Sequence, residues 1–104
     1  MSTFDEREDA FEAKFARDAE MQFKAEARRN KLLGLWAADL LGKSGEEANA
    51  YASEVVKADF EEPGDDDVLR KVAGDLGDLA SNEDIRAKMN ELIGVAKTQL
   101  MEEL

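Results

Sequence analysis

Apolar residues recur at helical spacing in four separate stretches of the chain. Leu33, Trp36, Ala37 and Leu40 form the first stripe; Ala48, Tyr51, Ala52, Val55, Val56 and Phe60 form the second. Val68, Leu69, Val72, Ala73, Leu76, Leu79 and Ala80 form the third, and Ile85, Met89, Leu92, Ile93, Ala96 and Leu100 the fourth. Spacing of i, i+3, i+4, i+7 marks an amphipathic helix with one buried face. Four such stripes on short connections predict a small four-helix bundle with antiparallel sequence neighbours.

The connections carry stop and start signals. Gly42 suits the position just past a helix end, and Ser44 with Glu47 three residues on predicts a capping box. Pro63-Gly64 ends any helix, and Asp65 is placed to cap the next. Ser81 with Asp84 predicts a third start. Gly74, Gly77 and Gly94 fall inside the predicted helices, where each costs about 1 kcal/mol against alanine; they mark either close helix contacts or an only moderately stable bundle.

The first helix has an ambiguous start. Thr3 and Glu6 open a helix-compatible run that continues to Gly34. Within its first part like charges stack on one another: Asp5 with Asp9 and Glu8, Asp9 with Glu12, Lys14 with Arg17. A segment this short is marginal as an isolated helix in any case. From Glu20 the pairing turns favourable, with Lys24 at i+4. The sequence thus divides into a mobile, helix-capable arm over 1–18 and a bundle over 19–104. Phe4, Phe11 and Phe15 lie on one face of the arm. They either dock on the bundle or fold into a groove of another protein.

Composition narrows the chemistry. The 104 residues contain no cysteine and no histidine, which removes disulfides, thiolate ligands and the commonest general base, metal ligand and pH switch. One tyrosine, one tryptophan and a wealth of Ala, Leu, Glu, Lys and Arg favour an all-α fold. A net charge of −11 opposes binding to nucleic acid or anionic membrane. The acidic N-terminus lacks the basic flank and apolar run of a signal peptide. The longest apolar run, 32–38, is too short to span a bilayer. A cytoplasmic protein is expected.

Candidate sites are few. Residues 37–44 approach a phosphate-loop signature but lack its first glycine and the preceding strand, so Lys43 and Ser44 offer at most a weak phosphate contact at a helix N-terminus. Asp65-Asp66-Asp67 lacks the spacing of a calcium loop and reads as three acids in a helix first turn. No metal site or cofactor is expected. Arg28-Arg29-Asn30-Lys31 is the only dense basic cluster; its members fan around a helix, as a solvated face or as a contact for an acidic partner. No nucleophile–base pair can be built on histidine, and the chain reads as a binding protein rather than an enzyme.

Several blocks resemble one known family. Residues 4–16 (Phe-Asp-Glu-Arg-Glu-Asp-Ala-Phe-Glu-Ala-Lys-Phe-Ala), 27–34 (Ala-Arg-Arg-Asn-Lys-Leu-Leu-Gly), 36–38, 59–65 (Asp-Phe-Glu-Glu-Pro-Gly-Asp) and 85–89 resemble the zeta subunit of alphaproteobacterial F-type ATP synthases. The blocks at 27–34 and 59–65 are the specific ones. The resemblance implies a four-helix bundle with a mobile N-terminal arm, monomeric when free. It implies that the arm inserts between catalytic subunits of the enzyme's soluble head, at the cytoplasmic face of the membrane, and blocks ATP hydrolysis. On the matching positions the inhibitory contacts fall to Phe4, Asp5, Arg7, Glu8, Phe11, Glu12, Lys14, Phe15 and Asp18, with Arg28, Arg29 and Lys31 as secondary partner contacts. The alternative is a helical module that senses ADP or ATP weakly through Lys43 and Ser44. A nucleic-acid mimic, prompted by the net charge, gains little from the nearly balanced first thirty residues.

Overall fold

A computed structural model describes residues 19–59 and 65–103. They form four helices: α1 (Ala19–Leu40), α2 (Gly45–Ala58), α3 (Asp66–Leu76) and α4 (Asn82–Glu102), with a 3₁₀ turn at Gly77–Leu79 before α4. The expected all-α four-helix bundle is what the chain builds. The expected arm, the arm–bundle boundary at residue 18, Phe60 and the Pro63-Gly64 break lie outside the described residues.

The helices differ in length, and this shapes the bundle. At 1.5 Å per residue, α1 and α4 run about 33 and 31 Å, while α2 and α3 run about 21 and 16 Å. Sequence neighbours are antiparallel, and α1 is the hub, packed most extensively on α2 and α4. The main core joins Leu33, Ala37 and Ala38 of α1 to Tyr51 and Val55 of α2, to Val68, Leu69, Val72 and Leu76 of α3, and to Ile85 and Met89 of α4. A separate small cluster of Met21, Ala25 and Leu100 lies where the start of α1 meets the end of α4.

Close approach is achieved at a different glycine from Gly74, Gly77 and Gly94. Gly34 faces α2, and a Cβ there would lie 2.6 Å from the Cα of Ala52. The backbones of α1 and α2 can cross only because that atom is absent. Gly74 and Gly94 have nothing within 4 Å of an added Cβ, so neither marks a helix contact.

The helix ends follow the punctuation in part. Gly42 takes a left-handed φ of +79°, with hydrogen bonds from Gly42 N to Asp39 O and from Lys43 N to Ala38 O. That pattern closes α1 as a Schellman motif. At α4 the capping box is complete: Asp84 N donates to Ser81 Oγ and Ser81 N donates to Asp84 Oδ2, both at 3.1 Å. Ser44 precedes α2 in extended conformation but its hydroxyl makes no capping bond, so the expected box with Glu47 does not form. Asp65 also makes no side-chain cap to α3, because its carboxylate is engaged elsewhere. The third stripe is shorter than its spacing implied: α3 stops at Leu76, Gly77 turns with φ +55°, and Leu79 is 56% exposed.

Candidate functional site

The basic cluster at 28–31 is pulled in three directions by its helix. Arg29 points inward and is 5% exposed; Asn30 beside it is fully buried. Arg29 Nε and Nη2 donate to Asn30 Oδ1 at 3.0 and 2.8 Å, and Nη2 also donates to Asp65 Oδ1 at 3.0 Å. One planar guanidinium thus ties α1 to the start of α3 with directed bonds that an ammonium could not reproduce. Asn30 Nδ2 has no hydrogen-bond acceptor in ideal geometry among the described residues.

Carboxylates crowd this centre. Burial pushes the pKa of Glu26 up, Arg29 pulls it back, and Asp59 and Asp65 raise it further. Burial likewise raises that of Asp59, against the opposing pull of Arg29 and of the Asn30 amide. Arg29 therefore sits between Asp59, which ends α2, and Asp65, which precedes α3. It bonds the Asp65 end of the 59–65 connection, and its charge acts on the Asp59 end. The two sequence blocks that carried the specific resemblance, 27–34 and 59–65, meet here in space.

Arg28 points along the opposite flank. It makes two bonds to Glu103, one of 3.0 Å from Nη2 to Oε2, and a longer one of 3.4 Å to Gln99 Oε1. The pairing raises the pKa of Arg28 and lowers that of Glu103. Lys31 is exposed. Beside Arg28 and Lys31 opens a groove of about 610 Å³ whose walls include Met21, Phe23, Val56 and Leu100. Phe23 is 53% exposed at its edge.

Lys43 and Ser44 lie on the turn into α2. Ser44 is exposed, and Lys43 is near enough to Asp75 to contribute to its lowered pKa. Burial acts against that lowering, but the Tyr51 hydroxyl, which donates to Asp75 Oδ2 at 2.8 Å, and Lys71 at 3.1 Å outweigh it. The Tyr51 pKa is pushed far up by burial and by the neighbouring carboxylate. The three aspartates opening α3 are dispersed to three cations: Asp65 to Arg29, Asp67 to Arg70, and Asp66 to Arg86 at 3.8 Å. Phe4, Asp5, Arg7, Glu8, Phe11, Glu12, Lys14, Phe15 and Asp18 lie outside the described residues.

A sequence model of the family described as ATPase inhibitor subunit zeta matches residues 1–99. The chain belongs to that family. Four solved chains match as well. One, a solution NMR structure, is 68% identical and superposes with a TM-score of 0.76, covering 81% of this chain and 99% of its own. No curated protein matches the chain. As a zeta-family member the chain is an ATPase inhibitor subunit, a regulatory role. No helix among the described residues is long and apolar enough to cross a membrane.

The Arg29–Asp65 tie was hidden from spacing alone because it joins residues 36 positions apart. The signal that could have found it is the pairing of the two specific blocks, each of which contains one of its partners.

Proposed function

We propose that the chain restrains the F-type ATP synthase by inserting residues 4–18 as a helix between catalytic subunits of the soluble head, so that ATP hydrolysis stops. The bundle over 19–104 is the body that carries and positions this element. The observation that carries the reading is the extent of the family match, which runs through the arm as well as the bundle. The bundle supports it too, since its four stripes bury one another around Leu33, Val55, Val72 and Ile85. Phe4, Phe11 and Phe15 then supply a separate apolar face for a partner groove, with Asp5, Arg7, Glu8, Glu12, Lys14 and Asp18 as its charged flanks. Fifteen helical residues make a rod of about 22 Å, long enough to wedge a cleft that a rotary enzyme must open and close. No chemistry is required of the inhibitor. Arg28 and Lys31, in the middle of α1, are secondary contacts, and Arg29 serves them by fixing the helix that bears them.

The test is to compare the full chain with residues 19–104 in an ATP hydrolysis assay on the isolated head, with thermal melts of both. Inhibition lost with the melt retained is the expected result. Undiminished inhibition by 19–104 overturns the assignment.

A further inference from the structure

The groove beside Arg28 and Lys31 has an apolar floor and a cationic edge. Met21 and Leu100 are buried in its base. Lys24, Arg28 and Lys31 line it at i, i+4 and i+7, so one row of positive charge runs along one side of α1. Lys24 also bonds Glu20 and Arg28 also bonds Glu103, but each cation carries more donors than those bonds use. The groove exists because α2 and α3 are too short to cover the start of α1, which is left mainly to α4.

We propose that this groove is a docking site for residues 1–18 of the same chain, occupied when no target is present. The arm has the complementary pattern. On a helix Phe4, Phe11 and Phe15 share one face, and Asp5, Asp9 and Glu12 follow the same i, i+4, i+7 spacing on its flank. Residues 1–18 hold six acids against three bases, a net of −3 facing the cationic row. The acids that repel one another in an isolated helix gain counter-charges on docking. Reach is sufficient. The arm joins α1 at Ala19, Lys31 lies about 18 Å further along that helix, and eighteen helical residues span about 27 Å. On the reading of the arm as the inhibitory element, the same phenylalanine face serves both places. Docking and insertion into the enzyme are then mutually exclusive, and the groove sets how much arm is available.

The experiment uses the full chain. It contains no cysteine, so Ala10→Cys accepts a single nitroxide about 120° around the helix from the phenylalanine face and away from its acidic flank. Docking broadens the amide signals of Val56, Leu100 and Glu103, which are remote from residue 10 in sequence. Introducing Phe11→Ser costs the docked state roughly tenfold in population and sharpens those signals. Lys24→Glu or high salt acts in the same direction. Broadening that Phe11→Ser leaves unchanged reflects tethering alone and overturns the proposal. So does broadening centred on Trp36 and Leu79 at the far end, or broadening that arises only between labelled and unlabelled molecules, which indicates a second copy. The measurement needs no enzyme, so its failure is distinct from a failure of truncation to relieve inhibition.

Discussion

Gly34 and Ala52 mark the point where the two best-packed helices touch backbone to backbone, with 2.6 Å left for a Cβ that glycine does not have. The obstructing atom is main chain, so it cannot swing aside. Gly34→Ala is expected to force α1 and α2 apart and destabilise the bundle by about 1–3 kcal/mol, the usual cost of overpacking. Gly94→Ala in open space should instead stabilise by about 0.5–1 kcal/mol. Urea unfolding of both variants checks the contrast. Equal effects would mean that the helix crossing is looser than described.

Arg29→Lys keeps the charge and loses the fork. A single ammonium cannot serve Asn30 Oδ1 and Asp65 Oδ1 as the guanidinium does. A loss of about 1–3 kcal/mol is expected, in the range for a buried polar group left without its bond. Asp65→Asn, whose side chain is half exposed, should cost less. Denaturant midpoints of the two variants decide it, and a neutral Arg29→Lys would rule out the guanidinium as the tie between the blocks.

The two serines before α2 and α4 look alike in sequence and differ in use. Ser81→Ala removes a formed capping bond and should cost about 1 kcal/mol. Ser44→Ala removes none and should be near neutral. Thermal melts give the comparison directly.

Stability should depend on pH in two opposed ways. Glu26 and Asp59 have raised pKa values in the folded state, so the native chain binds more protons than the unfolded one above the ordinary carboxylate value near 4. Their contribution is full at low pH and is lost as pH rises through their folded values. Asp75 has a lowered pKa, and its contribution is present above the unfolded value and lost as pH falls through the folded one. Asp59→Asn should therefore raise stability at neutral pH and flatten the fall on the alkaline side of pH 4. With no histidine in the chain, little change is expected between pH 6 and 8. Urea midpoints across the range test the sign, and a neutral-pH loss in Asp59→Asn would reverse it.

Phe11→Ser and Phe15→Ser address the inhibitory face. Full burial of a phenylalanine is worth about 1.5–3 kcal/mol, so inhibition of hydrolysis should weaken roughly tenfold to a hundredfold. Bundle stability should change much less. A stability loss above about 2 kcal/mol with inhibition intact would place these side chains in the core instead.

How far the sequence revealed the molecule depended on the range of the interaction. Stripes are local, and Leu33, Val55, Val72 and Ile85 all proved buried where periodicity put them. The Ser81–Asp84 box and the Gly42 turn are local too. Ser44 and Asp65 misled because a cap residue is chosen by competition: Asp65 answered Arg29 instead of its own helix. Periodicity also carried the third stripe past Gly77, although the helix stops there. The crossing at Gly34 and the burial of Arg29 depend on which helices meet, and no window along one helix contains that. The basic cluster was visible as composition, but its division into a buried tie, a flank pair and an exposed lysine required the third dimension.

The unequal helix lengths have a mechanical side. Where the start of α1 meets the end of α4, Met21, Ala25 and Leu100 form a thin cluster apart from the main core. Near this cluster the two helices are also joined by the Arg28–Glu103 bridge. Apolar support is thus thin where α1 starts and broad further along, so local opening is expected to begin at Met21 and Leu100.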